Sequence, residues 1–205
     1  MSQVSSVSLA IQAATQAACF LSKELPGLHM LKFFNQLSKR RVPWLLLALT
    51  ALGLELAALY FQYQLKLDPC VLCVYERTAV MGILLAGLIA ALAPGILIFR
   101  WAAILVWGVS AGWGLQLAMK HTGIQLFPSP SNTCDFAASY PDWAKLDEWF
   151  PWLFQPTGFC DEIQWQFFGY TMPQTMIGIY ALYLLALLLV LLSQFAGQQR
   201  SIFSD

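Results

Sequence analysis

Charged residues are scarce in this chain. Only 11% of its 205 residues are Asp, Glu, Lys or Arg, whereas a typical soluble domain carries about 25%. The formal net charge is zero, so no broad positive field exists to attract nucleic acid, and we expect no nucleic-acid partner. The chain has two histidines, too few for a histidine-rich metal site. With a mean hydropathy of +0.62, these deficits indicate a membrane protein.

Four apolar stretches are long enough to cross about 30 Å of hydrocarbon as helices. They run over residues 43–63, 70–93, 101–119 and 174–193. Pro94-Gly95 and Pro173 are helix-boundary signals. The fold class that we predict is an all-α membrane protein, a four-transmembrane-helix bundle with one long loop.

The long loop, residues 120–173, contains a second pattern. Trp143, Leu146, Trp149 and Phe150 fall at helical spacing with charged residues between them. This pattern predicts a short amphipathic helix lying on the membrane surface. A folded loop core is the alternative.

The basic residues predict the orientation of the bundle. The Lys-Arg-Arg run at 39–41 directly precedes the first span. We therefore expect the chain to lie in a bacterial inner membrane with both termini cytoplasmic. Loops 64–69 and 120–173 should then face the periplasm. The expected parts are a basic segment at 30–42, a transmembrane domain at 43–194 and a cytoplasmic tail at 195–205.

The first 29 residues do not fit this plan. They are rich in Ser, Ala and Gln, and they lack the basic start of a signal peptide. Met30 precedes a basic segment that is itself a sensible N-terminus. We expect residues 1–29 to be a dispensable extension or an artefact of the chosen start site.

This topology sorts the five cysteines by compartment. Cys19 lies on the cytoplasmic side, where thiols stay reduced, and Cys70, Cys73, Cys134 and Cys160 lie on the other side, where disulfides persist. Three interpretations of these four compete: two structural disulfides, a four-cysteine zinc site and a redox relay. Zinc is the weakest, because two spans separate the pairs, whereas structural zinc ligands gather in one compact module.

The surroundings of Cys70 and Cys73 favour catalysis over structure. A disulfide within Cys-x-x-Cys closes a very small loop and stabilises little by chain entropy. The pair stands at a helix N-terminus, which favours a thiolate, and Arg77 follows four residues after Cys73 on the same face. Cys134, among prolines and small polar residues, is predicted to lie in an exposed loop, and Cys160 follows a Pro-Thr-Gly stretch that we expect to be mobile.

A relay needs an electron acceptor, because disulfide exchange moves electrons between thiols without disposing of them. The sequence has no Rossmann fingerprint, no CxxCH haem motif and no iron–sulfur spacing. A quinone already dissolved in the bilayer is the simplest acceptor, and Arg77 suits its reduced form.

Three segments carry a family resemblance: CVLCVYER at 70–77, LALTALGLELAALYFQ at 47–62 and HTGIQLFPSPSNTCDF at 121–136. With the four-span plan, they make the chain similar to the DsbB family of disulfide bond formation proteins. The resemblance extends from Met30 to about Gln194. It implies a quinone-dependent protein-disulfide oxidoreductase that reoxidises a DsbA-type periplasmic thiol oxidase and draws on the membrane quinone pool.

The resemblance also implies residue roles. Reduced DsbA attacks a Cys134–Cys160 disulfide at Cys134, and transfer to the Cys70–Cys73 pair passes through a bond between Cys70 and Cys134. Cys73, as a thiolate, then delivers electrons to ubiquinone beside Arg77. Menaquinone takes the place of ubiquinone under anaerobic conditions.

Other polar residues are weaker candidates for quinone binding. Glu55 is ionisable within the first span, so it is a functional candidate by default, with an interhelical hydrogen bond as the alternative. The resemblance places His121 near the quinone, although a solvated interfacial histidine is an equal reading, and Gln62 and Gln125 are similar cases.

Rival functions remain at this point. The first is a quinone reductase like the vitamin K epoxide reductase group, which carries its Cys-x-x-Cys on a later span. The second is a four-span scaffold with purely structural disulfides. A paralogue that serves one client protein is a third.

Overall fold

The computed structural model of the chain describes residues 35–127, 134–135 and 137–198. Its elements in chain order are α1 (Arg41–Tyr63), α2 (Val71–Leu92), α3 (Leu97–Leu126), α4 (Leu146–Trp149), α5 (Pro151–Phe154), β1 (Gln166–Phe167), β2 (Tyr170–Thr171) and α6 (Met172–Gln198). Residues 35–38 are helical as well. Residues 1–29, expected to be a dispensable extension, lie outside the described part.

The four long helices α1, α2, α3 and α6 are each long and apolar enough to cross a membrane. Large apolar side chains cover their outer faces, such as Ile98, which is 77% exposed, and Leu182, which is 67% exposed. Such faces are stable in lipid and would be unfavourable in water. The predicted fold class, an all-α four-helix membrane protein, is confirmed.

The third span differs most from its predicted limits. It was expected over 101–119, but α3 runs from Leu97 to Leu126. The hydropathy signal stops at Lys120 because polar residues follow, while the helical backbone continues for nearly two more turns. As a result, His121 and Gln125 lie on a helix and not in the long loop.

The small hairpin has no counterpart in the prediction. β1 and β2 pair antiparallel, with Gln166 opposite Thr171 and Phe167 opposite Tyr170. The two turn residues between them, Phe168 and Gly169, have φ values of +49° and +85°. Turns with positive φ at both central positions match the twist of a hairpin. Strands of two residues carry no periodic pattern that a sequence could reveal.

α2 packs between α1 and α3, and glycines allow the closest approaches. A Cβ added at Gly87 of α2 would lie 2.8 Å from the Trp44 carbonyl oxygen and from the Ala48 nitrogen of α1. A Cβ at Gly114 of α3 would collide with the ring of Tyr180 on α6. The Gly108-x-x-x-Gly112 pattern predicts close helix packing at both glycines. Only Gly108 shows it: an added Cβ there would lie 3.1 Å from Leu187 of α6, whereas nothing lies within 4 Å of a Cβ at Gly112.

The chain divides into two compact units. Ser38–Leu188 form one unit, and the other comprises the two chain ends up to Leu37 and from Leu189. Within the second unit, the Asn35 side-chain amide donates a hydrogen bond of 2.9 Å to the Ser193 carbonyl. All site residues discussed below belong to the first unit.

Candidate active site

Cys70 and Cys73 stand at the start of α2. Cys70 is the N-cap, and its Sγ accepts a hydrogen bond of 3.2 Å from the Cys73 N–H. Both residues are thiols, with their sulfur atoms 2.8 Å apart. Cys70 is buried and Cys73 is half-buried. The pair is therefore held by the geometry of a helix terminus, as the sequence predicted.

His121 on α3 faces this pair. Its Nε2 lies 3.6 Å from Cys70 Sγ, and its Nδ1 lies 3.2 Å from Glu76 Oε1. The His121 side chain is only 4% exposed and that of Glu76 is 6% exposed. The reading of His121 as a solvated interfacial residue is therefore wrong, because the extended α3 carries the ring inside the bundle.

Glu76 was missed as a site residue. Its position, three residues after Cys73 on the same helix, places both side chains on one face of α2. A carboxylate at that spacing in an otherwise apolar span was the available signal. The Tyr180 hydroxyl donates to the backbone carbonyl of Glu76 over 2.8 Å, which fixes α6 against this turn of α2.

Arg77 is buried and connects three elements. Its guanidinium donates to Gln62 Oε1 over 2.6 Å and to the Ala58 carbonyl over 3.2 Å, both on α1. A third bond of 3.0 Å reaches the Leu153 carbonyl on α5. The sequence predicted a cation that favours a thiolate or holds a negative ligand. The contacts give Arg77 a structural task in addition, because it ties the long loop to the helices.

One cavity of about 190 Å³ joins most of the predicted site residues. It is bordered by Glu55, Gln62, Cys70, Cys73, Arg77, His121 and Gln125, together with Glu76 and mainly apolar side chains of α1, α2 and α6. Cys134 and Cys160 are the predicted site residues that do not line it. The sequence-based candidates for quinone binding therefore share one space.

Two polar groups at this cavity lack partners within the described ranges. Both carboxylate oxygens of Glu55 are buried without a hydrogen bond, and Arg77 is an electrostatic neighbour of this carboxyl group. Gln125 donates from Nε2 to the Glu162 carbonyl, but its buried Oε1 has no donor. Buried polar atoms without partners are rare and call for a functional or ligand-based explanation. The interhelical hydrogen bond considered for Glu55 is not seen.

Cys134 and Cys160 form a disulfide, the pairing that the family resemblance implies. Cys160 is buried and Cys134 is half-buried. Both pack in one cluster with Cys70, Leu72 and Ile124, and Cys73 borders the same cluster. The two cysteine pairs, far apart in sequence, thus share one packed cluster at one end of the bundle.

Backbone hydrogen bonds hold Cys160 in this place. The N–H groups of Thr157 and Gly158 both donate to the Pro69 carbonyl, over 2.8 and 3.0 Å, and Thr157 Oγ1 donates to Asp68 Oδ1 over 3.1 Å. A Cβ at Gly158 would collide with the Asp68 carbonyl oxygen, so only glycine permits this approach. The stretch before Cys160, predicted to be mobile, is bound to the residues that directly precede Cys70.

The other arm of the long loop is attached to α2. The Tyr140 and Thr78 hydroxyls are 2.7 Å apart, and the Ser139 N–H donates to the Tyr75 hydroxyl over 2.6 Å. Burial raises the pKa of Tyr140 to about 12, so its phenol remains protonated at neutral pH. Cys134 lies a few residues before this attachment. Residues 128–133, part of the loop predicted to be exposed, lie outside the described ranges.

The predicted amphipathic helix is broken into two single turns. α4 ends at Trp149, and α5 begins at Pro151, whose ring cannot continue the preceding hydrogen-bond pattern but suits a helix start. Trp143 precedes α4 and is 79% exposed. Leu153 and Phe154 of α5 are buried beside Val74 of α2. This part of the loop combines both readings: short helices with exposed tryptophans, and a small core.

The chain is similar to known proteins over most of its length. The family model described as "Disulfide bond formation protein DsbB" matches residues 40–190. The disulfide bond formation protein B of Psychromonas ingrahamii is 52% identical over 177 residues, which cover 86% of this chain and 96% of that protein. The proteins of that name from Aeromonas hydrophila and Pectobacterium atrosepticum are 50% and 51% identical and cover 78% and 85% of this chain, and 93% and 99% of their own lengths.

Proposed function

The chain belongs to the DsbB family, and from that premise we propose that it is a thiol:quinone oxidoreductase. It is a disulfide oxidoreductase by family. The finer proposal is that it reoxidises a DsbA-type dithiol oxidase and passes the electrons to ubiquinone or menaquinone, which sustains disulfide formation. The observation that carries the proposal is that two cysteine pairs share one packed cluster beside one apolar cavity.

The first half of the reaction is thiol–disulfide exchange. A partner thiolate attacks Cys134 Sγ, and Cys160 leaves as a thiolate. The second partner thiol attacks the partner sulfur of this mixed disulfide, so the partner departs oxidised and Cys134 and Cys160 are both reduced. Two electrons and two protons have then moved to this chain. Thiolate attack through a mixed disulfide is the ordinary route of such exchanges.

The second half moves the electron pair inward. Cys134 attacks Cys70 of an oxidised Cys70–Cys73 pair, forming an inter-loop disulfide and releasing Cys73. Cys160 then attacks Cys134, which restores the Cys134–Cys160 bond and leaves Cys70 and Cys73 as thiols. The packing of Cys134 and Cys160 against the cluster that holds Cys70 supports this order, because exchange requires the two pairs to approach each other.

His121 is suited to assist this exchange. Its Nε2 faces Cys70 Sγ, and Glu76 holds its other ring nitrogen. A neutral imidazole so placed can take the thiol proton as Cys70 becomes a nucleophile or leaving group. The carboxylate of Glu76 orients the ring and stabilises the charged imidazole.

The cavity residues fit a quinone. The cavity has apolar walls, the N–H donors of Arg77 at one side, and the unpartnered oxygens of Glu55 and Gln125. We assign Arg77, Gln62, His121, Glu55 and Gln125 to binding. A bound quinone accepts two electrons and two protons. The residues of this chain hold the ring beside Cys73, exclude water, and supply protons at Glu55 and His121.

We further propose that the cysteine end of the bundle faces the periplasm across a bacterial inner membrane. The Lys-Arg-Arg run at 39–41 supports this orientation, because basic residues next to a span favour the cytoplasmic side. Both termini are then cytoplasmic. Labelling of intact cells with a membrane-impermeant maleimide tests the orientation: a thiol introduced at Lys66 should react, and one introduced at Gly95 should not.

Quinone reduction by the purified protein tests the function directly. The protein receives a soluble quinone and a reduced DsbA-type dithiol, and quinone loss is followed by absorbance. We expect rapid turnover in the wild type, loss of turnover in Cys73→Ser, and unchanged turnover in Cys19→Ser, which removes the cysteine expected on the cytoplasmic side. If the wild type shows no turnover with both substrates present, the cysteines are structural and a membrane scaffold replaces this proposal.

A further inference from the structure

Three side chains that the disulfide reaction uses also have the composition of a metal site. Cys70 Sγ, Cys73 Sγ and a ring nitrogen of His121 all lie within 4.8 Å of one another. We propose that these three side chains, when both thiols are reduced, bind a soft divalent cation such as Zn²⁺, and that the bound ion blocks the dithiol. This set differs from the four-cysteine site weighed from the sequence, since Cys134 and Cys160 are not members.

The distances suit tetrahedral coordination. Zinc lies about 2.3 Å from thiolate sulfur and about 2.0–2.1 Å from imidazole nitrogen, so its ligand atoms are roughly 3.5 Å apart. The 3.6 Å between Cys70 Sγ and His121 Nε2 meets this requirement. The two sulfur atoms, 2.8 Å apart, must separate by roughly 1 Å. Cys73 is half-buried and borders the cavity, so a rotation of its side chain provides that separation.

Glu76 gives the site its second layer. Metal-binding histidines usually donate their other ring N–H to a carboxylate, which fixes the tautomer and the ring orientation. Glu76 Oε1 lies 3.2 Å from His121 Nδ1, so a proton on Nδ1 leaves the lone pair of Nε2 directed toward Cys70.

Charge balance favours the ion in this buried place. Binding releases the two thiol protons, and the resulting thiolates neutralise the charge of Zn²⁺. The fourth position faces the cavity, where water or another small ligand completes the shell. A Cys70–Cys73 disulfide provides no thiolate, so only the reduced form binds. A metal-bound pair cannot reduce an acceptor, and micromolar zinc therefore inhibits the protein reversibly.

Cobalt spectroscopy tests the site without reference to turnover. In the full chain carrying Cys19→Ser, Cys134→Ser and Cys160→Ser, the only thiols are Cys70 and Cys73. We expect anaerobic Co²⁺ titration of the reduced protein to give one equivalent with thiolate-to-cobalt charge-transfer bands and intense tetrahedral d–d bands. Zn²⁺ should displace the cobalt. Absence of these bands in the reduced parent overturns the proposal.

Two substitutions in that background test the other members. Glu76→Gln should weaken Co²⁺ binding by roughly 10- to 100-fold, the usual effect of losing such a partner. His121→Ala should weaken it at least as much and should change the d–d bands, because one nitrogen ligand is lost. Lys120→Ala, at an exposed position of the same helix that does not border the cavity, is the matched control and should leave the affinity unchanged. Equal affinity and spectra in His121→Ala and the parent overturn the assignment of histidine as a ligand.

A measurement on the wild type tests the metal site even if the variants fail to fold. The reduced protein is alkylated with and without Zn²⁺, and each cysteine-containing peptide is quantified by mass spectrometry. Zinc should slow the alkylation of Cys70 and Cys73 at least tenfold relative to that of Cys134 and Cys160. Equal protection of all four cysteines overturns the three-residue site in favour of a shared one.

Discussion

The two cysteine pairs share one packed cluster, yet they are held in different ways. Cys70 and Cys73 belong to one helix start, and the backbone of α2 fixes their positions. Cys134 and Cys160 come from two arms of a long loop, which are bound to the helices through separate hydrogen bonds at Tyr140 and at Thr157–Gly158. The first pair is therefore fixed by a helix backbone, whereas the second is fixed by contacts between loop segments and the rest of the bundle.

This difference matches the tasks proposed for the pairs. A pair that serves an acceptor inside the membrane must stay at the cavity wall. A pair that receives electrons from a soluble protein must reach outward and then return to Cys70. Segments outside the long helices open at a lower free-energy cost than the helices themselves, and functional segments are often drawn from such regions.

The largest expected effect separates the two pairs chemically. Cys134→Ser should abolish oxidation of the protein dithiol, because no sulfur remains to accept the partner. The Cys70–Cys73 pair should still reduce quinone when a small dithiol such as dithiothreitol replaces the partner. Quinone absorbance with each reductant measures both rates. Survival of partner oxidation in this variant would show that electrons enter elsewhere.

Removing Arg77 should weaken quinone binding in the cavity beside Cys70 and Cys73. Arg77→Ala removes three hydrogen bonds within the protein and a donor at the proposed quinone site. One hydrogen bond from a charged group to the quinone would contribute about 1.5–3 kcal/mol, so its loss should raise the apparent KM for quinone at least tenfold. Arg77→Lys, which keeps the charge but loses the planar fork, should be intermediate.

A matched control distinguishes binding from general loss of stability. Arg100→Ala removes a buried arginine of α3 that does not line the cavity. It should leave the KM for quinone unchanged. If Arg77→Ala and Arg100→Ala raise KM equally, Arg77 has no part in quinone binding.

Gly158→Ala should weaken the attachment of the Cys160 segment to the residues before Cys70 while leaving each pair intact. The new Cβ collides with the Asp68 carbonyl oxygen, and overpacking of this kind costs about 1–3 kcal/mol. Transfer from Cys134 to Cys70 should therefore slow by roughly 5- to 150-fold. Quenched-flow alkylation after mixing with reduced partner measures that step. Gly112→Ala, where a Cβ meets nothing within 4 Å, is the control, and equal rates in both variants would contradict the role of this contact.

The smallest effect is expected at the other attachment of the loop. Tyr140→Phe removes the 2.7 Å contact with Thr78 and keeps the ring packing. A loss of about 0.5–1.5 kcal/mol should raise the rate of protease cleavage within 134–171 by roughly 2- to 12-fold. Because the pKa of Tyr140 is about 12, this ratio should not change between pH 6 and pH 9. Tyr183→Phe, which removes a similar bond to Thr50, should leave cleavage of the loop unchanged.

Local patterns made much of this molecule predictable. Apolar length revealed four spans, and the Cys-x-x-Cys at a helix start located the fixed pair. The contacts between loop and helices were not predictable, because Thr157 and Asp68 lie 89 residues apart and no periodic pattern links them. The contact between Glu76 and His121 was not predicted for a related reason. It requires α3 to continue past Lys120, where the hydropathy falls although the helix does not end.

The N-cap of α2 gives the molecule an intrinsic spectroscopic probe. The Cys73 amide hydrogen is directed at the Cys70 sulfur, over 3.2 Å between nitrogen and sulfur. The electron density on that sulfur differs among thiol, thiolate and disulfide, and the strength of the accepted bond differs with it. The ¹⁵N and ¹H chemical shifts of one backbone amide therefore record each redox state of the buried pair during turnover, in a protein labelled only with isotopes.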